Sequence, residues 1–195
     1  MTQENKKIGV GDLAPAFSLP DQNGKVRTSE EYLGKWLLIY FYPKDNTPGC
    51  TTEACVIRDA WGEFKKTGAE VVGVSTDSIE SHKKFGEKHS LPFTLLSDSD
   101  KKVVEEYGVW AMKSFMGKSF FGTRRTSFLI NPDGKIAKIY ENVLPAIHAE
   151  EVLRDIKALL YGLKNTAYPR LKVTGEVLRP LRTSCTYPGN LVYTH

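Results

Sequence analysis

One uninterrupted apolar stretch, Trp36-Leu37-Leu38-Ile39-Tyr40-Phe41, constrains this chain more than any other feature. A strand with one wet face alternates apolar and polar residues; this one does not, so it reads as a strand covered on both faces. It empties into Tyr42-Pro43-Lys44-Asp45-Asn46-Thr47-Pro48-Gly49-Cys50, where Pro48 and Gly49 break the extended chain. Thr51, Thr52 and Glu53 then suit a first helical turn, the carboxylate being favoured there by the helix dipole. Cys50 is thereby predicted at a helix N-terminus, where unpaired backbone N–H groups favour a thiolate.

The flanking segments extend the pattern. Phe17-Ser18-Leu19 and Lys25-Val26-Arg27 flank a turn at Asp21-Gln22-Asn23-Gly24, which predicts a short hairpin. Ile57, Ala60, Trp61 and Phe64 share one face of a helix predicted from Thr51 to Lys66 and closed by Gly68. Strands follow at Glu70–Ser75, Phe93–Leu96, Arg125–Ile130 and Lys135–Tyr140, the last two joined by the turn Asn131-Pro132-Asp133-Gly134. Asp77 with Glu80 forms an expected capping box for a helix to about Lys88, and short and amphipathic helices are expected at Asp100–Tyr107 and His148–Tyr161. Strands alternating with helices, closed by a hairpin and a helix, give an α/β fold with a mixed central sheet flanked by helices. His82, His89 and His148 stand beside charged residues and read as surface histidines. Trp110 to Gly122 reads as an apolar loop: a cap over the core, the rim of a reactive pocket, or a docking patch for a partner protein or second subunit.

The domain is expected to end at Tyr161, leaving residues 162–195 as a basic extension, loosely ordered or packed on it. That extension holds Lys164, Arg170, Lys172, Arg179 and Arg182 against Glu176, so residues 1–161 carry 22 of the 27 basic and 22 of the 23 acidic groups. A balanced domain gives no support for a nucleic-acid partner. With 41% hydrophobic and 26% charged residues the composition is that of a globular protein, and no apolar run approaches the roughly 20 residues of a membrane span. The first residues lack the ~7 to 15 apolar positions of a secretory signal, so a cytoplasmic location is expected. Three cysteines in that setting do not make a disulfide framework and point to thiol chemistry or to no function at all. Cys50-x4-Cys55 lacks the close ligand spacing of a metal site.

The thiol needs help. A free cysteine titrates near 8.5, about 3% thiolate at neutral pH, and lowering it to about 6 requires roughly 3.4 kcal/mol. A helix terminus supplies ~0.3 to 1 kcal/mol, at best about 2. One arginine at about 4 Å in an effective dielectric near 20 is worth on the order of 4 kcal/mol before desolvation. An arginine must therefore reach this loop; Arg124 and Arg125, at the mouth of a strand, are candidates, with Arg58 further along the helix a weaker one. Thr47, three residues before the thiol, offers a hydroxyl that donates to the sulfur and accepts from an incoming hydroperoxide.

Pro43-x3-Thr47-x2-Cys50 resembles the active-site signature of the peroxiredoxins. The longer run from Phe41 through Cys50-Thr51-x-Glu53-x2-Cys55 is similar to the subgroup called peroxiredoxin Q or bacterioferritin comigratory protein. The resemblance spans about Gly9 to Tyr161. It implies a thioredoxin-like fold, a peroxidatic Cys50, a resolving Cys55, an active-site Arg125, and Pro43 and Thr47 as active-site loop residues. It also implies a cycle without metal, haem or flavin: Cys50 reduces hydrogen peroxide or an organic hydroperoxide, the sulfenic acid condenses with Cys55, and thioredoxin or a similar dithiol reduces the disulfide. A monomer or weak homodimer is expected. On an ideal helix, Cα atoms five residues apart are separated by about 8.7 Å, beyond the ~7 Å reach of a disulfide, so the turns between Cys50 and Cys55 are expected to unwind in each cycle. The competing reading is a peroxide-sensing switch or chaperone-like binding protein in which turnover is incidental.

Overall fold

The computed structural model describes residues 8–115 and 118–160. The extension at 162–195, with Cys185, and the far boundary of the domain lie outside the described residues.

The apolar stretch forms β3 (Leu37–Phe41), every residue of it buried. It lies at the centre of a five-stranded sheet with β4 (Glu70–Ser75), β5 (Thr94–Ser97), β8 (Thr126–Ile130) and β9 (Ile136–Glu141), in the order β5-β4-β3-β8-β9. β3 pairs parallel with β4 and antiparallel with β8, so the sheet is mixed. The period of two divides β3 between two cores. Leu38 and Tyr40 pack with α1 (Pro48–Asp59), α2 (Trp61–Thr67), α3 (Ile79–His89) and α5 (His148–Leu160). Leu37, Ile39 and Phe41 meet α4 (Lys102–Glu106) and the lead-in residues Phe17 and Leu19. β1 (Ser18–Pro20) and β2 (Val26–Thr28) make the predicted hairpin, followed by a 3-10 turn at Ser29–Tyr32. A side chain at Gly73 would come within 2.7 Å of the Tyr40 ring, so the glycine in β4 lets that ring lie flat beneath the helices.

Three local expectations need correction. Trp110 to Gly122 is no loop: β6 (Trp110–Phe115) and β7 (Lys118–Thr123) pair antiparallel, Met112 opposite Phe121 and Lys113 opposite Phe120. The stretch is apolar on both faces because Trp110 faces the core at one end while Met112, Phe120 and Phe121 are exposed further out, so no clean alternation marks it. The helix expected from Thr51 to Lys66 is broken at Ala60, which serves as C-cap of α1 and N-cap of α2. The cap of α3 is Ser78, accepting from the Ser81 N–H, one residue beyond Asp77. Asp77 instead accepts from the Asp45 N–H and the Ser75 hydroxyl.

Candidate active site

β3 delivers the chain to the edge of the helical layer, and the loop after it reverses through Asn46, whose φ of 57° is left-handed. Thr47 is the N-cap of α1 in extended geometry and Pro48 takes the first helical position, where its missing N–H costs nothing. Cys50 follows at the third, buried to 1% exposure and, among the described residues, carrying a free thiol.

The arginine problem is settled by the parity of a strand. β8 runs beside β3 with Ser127 opposite Tyr40 and Thr126 opposite Phe41, so the residue before β8 arrives level with the loop that follows β3. Arg125 Nη2 donates to Cys50 Sγ at 3.1 Å, and its Nη1 donates to Glu53 Oε2. Its neighbour Arg124 points away, as alternation requires, and lines a cavity of about 380 Å³ with Tyr107, Phe128 and Glu141. Arg58 is spent elsewhere, on Asp59 and the His89 carbonyl. Gly49 gives the guanidinium room: a side chain there would stand 3.2 Å from Arg125 Nη2.

Glu53, legible in sequence only as a favourable helix-start residue, proves to be the second partner of that arginine. Its three-residue spacing from Cys50, which puts both on one face of the helix, is the signal that pointed there. The carboxyl is completely buried, with Oε1 lacking a partner among the described residues. Burial pushes its pKa up to about 7, although Arg125 pulls the other way. Burial also works against the charge of Arg125, and Glu53 and Cys50 more than offset it, raising its pKa. Thr47 Oγ1 donates to the Lys44 carbonyl at 3.0 Å, which keeps the hydroxyl within its own loop. Pro43 is half-buried ahead of it. Cys55, two turns along α1, is fully buried and disulfide-bonded in this structure.

His82 and His148 correct the expectation of surface histidines: both are completely buried. On α3 the charged Lys83 and Lys84 take the outer face while His82 and Phe85, three apart, turn inward. His148 begins α5 and shares a 2.8 Å hydrogen bond with Ser127; burial, with the nearby charge of Arg125, pushes it down to about 4. His82 sits 2.9 Å from Asp45 in the loop before Cys50. The β6–β7 hairpin stands within electrostatic range, since Lys113 is pushed down by burial and by Arg125 and pulled up by Cys50. Among the described residues no three His, Cys, Asp or Glu side chains are grouped to hold a metal ion, and no helix is long and apolar enough to cross a membrane.

A buried thiol at a helix start, gripped by a guanidinium that a buried carboxylate orients, is built for attack on an electron-poor atom small enough to reach it. Comparison with known proteins identifies the family. Residues 10–139 match the AhpC/TSA family. Peroxiredoxin Bcp of Escherichia coli (strain K12) is 50% identical over 150 residues, covering 77% of this chain and 96% of that protein. The fold matches the bacterioferritin comigratory protein of Xanthomonas campestris, a protein with alkyl peroxide reduction activity. The two are 39% identical with a TM-score of 0.70, over 73% of this chain and 91% of that one. It also matches a cysteine-to-serine mutant of Xylella fastidiosa PrxQ, at 34% identity and a TM-score of 0.75 over 80% and 99% of the two chains.

Proposed function

Because the chain belongs to the AhpC/TSA family, as a thiol-dependent peroxidase of the Bcp/peroxiredoxin Q group with a thioredoxin-like fold, we propose that Cys50 is its peroxidatic cysteine. Cys55 is read as the resolving cysteine, and Arg125, Thr47 and Pro43 as the groups that complete the site. The observation that carries this reading is the single guanidinium shared between Cys50 Sγ and Glu53.

The Cys50 sulfur attacks the distal oxygen of hydrogen peroxide or an organic hydroperoxide; the O–O bond breaks, and hydroxide or alkoxide leaves and takes up a proton. Arg125 donates to the sulfur and to the oxygens on which negative charge develops, in a site closed to water. Because the Thr47 proton is committed to Lys44, its oxygen is left to accept from the incoming hydroperoxide, and Pro43 shields that approach. The Cys50 sulfenic acid then condenses with the Cys55 thiol and releases water. Cys55 is disulfide-bonded here, so this step requires its thiol to be set free by exchange with the dithiol reductant. Both cysteines lie on α1, whose ideal geometry holds Cα atoms at that spacing about 8.7 Å apart, so the first turns of α1 unwind for the bond to form. A thioredoxin-type dithiol restores both thiols.

A monomer or weak homodimer in a cytoplasmic setting completes the reading. The test is steady NADPH consumption with thioredoxin, thioredoxin reductase and hydrogen peroxide. Turnover that vanishes in Cys50→Ser supports the reading; a wild-type protein without turnover refutes it and favours the sensing or binding alternative.

A further inference from the structure

The loop that carries Pro43 and Thr47 is fastened at one residue. Asp45 is buried at 5% exposure, and its carboxylate takes three side-chain donors: Tyr42 Oη at 2.8 Å, Ser81 Oγ at 2.7 Å and His82 Nδ1 at 2.9 Å. Its main-chain N–H is also held, by Asp77 Oδ2 at 2.8 Å. The other nitrogen of His82, Nε2, lies 3.1 Å from the Leu96 carbonyl. The imidazole thus bridges the loop to β5, with a hydrogen-bond partner at each ring nitrogen. The rest of the loop is fixed far less firmly. Thr47 bonds back to Lys44 within it, and Asn46 meets the exposed Lys88 at 3.5 Å.

We propose that Asp45 and His82 form a latch that holds the Tyr42–Thr47 loop, and with it the entrance of α1, in the peroxide-reactive arrangement; they are positioning residues that set how readily Cys50 unwinds toward Cys55. The inference rests on the Cys50–Cys55 cycle proposed above. Its physical basis is the division of labour in that cycle. Attack on the hydroperoxide needs Thr47, Cys50 and Arg125 held together, whereas disulfide formation needs the first turns of α1 to come apart. Asp45 lies five residues before Cys50 and is bound to α3 and, through His82, to β5, two elements outside the turns that must unwind. A buried carboxylate with several charge-assisted bonds is costly to release, so the latch weights the balance toward the closed form. Weakening it must therefore change the two chemical steps in opposite directions.

The experiment uses pre-reduced full-length protein and measures two rates separately. Cys50 oxidation is read by competition for hydrogen peroxide, and disulfide formation from the sulfenic acid by quenched-flow mass spectrometry. In Asp45→Asn and His82→Gln, oxidation is expected to slow roughly tenfold while disulfide formation speeds up about threefold. Ser81→Ala removes one hydroxyl from a half-buried position and is expected to slow oxidation and speed disulfide formation by smaller factors, with a melting temperature lowered by only a few degrees. Ser81→Ala also guards against variants that fail to fold. Two rates that fall together in step with melting temperature, or that stay at wild-type values in all three variants, overturn the latch. A wild-type protein that forms no sulfenic acid overturns the underlying cycle, and the latch with it.

Discussion

Two buried carboxylates flank Cys50, Asp45 five residues before it and Glu53 three residues after, and they are opposite in almost every respect. Asp45 is satisfied on both oxygens. Burial would raise its pKa, but His82, Ser81 and Tyr42 outweigh that and hold the carboxyl below the ordinary range. Glu53 has one oxygen on Arg125 and the other without a described partner, and burial carries it up to about 7. The only cation described beside it is shared with Cys50 Sγ. A finished polar network suits a part that must stay still, whereas an incomplete one beside the thiol leaves charge free to redistribute when the sulfur reacts.

The largest effect comes from removing what Glu53 and Cys50 share. Arg125→Ala is expected to slow Cys50 oxidation by about 10²–10³-fold, the range for loss of one preorganised donor, and to leave Glu53 buried without its cation. Arg125→Lys restores little, because one ammonium does not span two partners as a guanidinium fork does. Second-order rates with hydrogen peroxide decide it; near wild-type values in Arg125→Ala would erase the distinction between the two carboxylates.

The next effect separates them by pH. The folded pKa of Glu53, about 7, lies above its ordinary 4.5, so between those values the folded protein keeps a proton that the unfolded chain has released. Stability therefore falls as pH rises from about 4.5 to 7, by up to ~3 kcal/mol, and is flat above. Asp45, depressed from 3.8, acts the other way: its contribution is present above that value and is lost only as strong acid takes pH down through the folded pKa. His148, down at about 4 from 6.5, adds an opposing slope, because the unfolded chain binds its proton first. Urea unfolding of wild type and Glu53→Gln between pH 4 and 8 removes that background by difference. The stability of the variant relative to wild type should climb through the Glu53 window; a constant difference would mean that Glu53 does not titrate there.

How far these residues were legible follows from how local their determinants are. The strand, the loop and Cys50 at a helix start are written in adjacent residues, and the need for an arginine follows from an energy comparison that requires no coordinates. Choosing Arg125 over Arg124 from residue chemistry alone was out of reach, because it turns on which face of β8 each side chain leaves. Asp45 reads as a turn residue and His82 as a polar helix position, and nothing nearby in either segment announces that they meet across 37 positions. The β6–β7 hairpin was hidden because its two faces change partners along their length, which erases the period of two.

The smallest effect compares two stacked rings, Tyr40 and Tyr42, with centroids 5.4 Å apart. Tyr42 Oη donates to Asp45, whereas Tyr40 Oη is buried without a described partner, its pKa raised first by burial and then by the charge of Glu53. Tyr42→Phe deletes a bond to a charged acceptor and should cost about 1.5 kcal/mol. Tyr40→Phe removes an unpaired polar atom from the core and should be neutral or stabilising by up to ~1 kcal/mol. The measurement is the urea midpoint at constant slope. Equal losses in the two variants would mean that the hydroxyl beneath Glu53 is as well satisfied as the one beneath Asp45, and that the contrast between the two carboxylates does not extend into the layer that supports them.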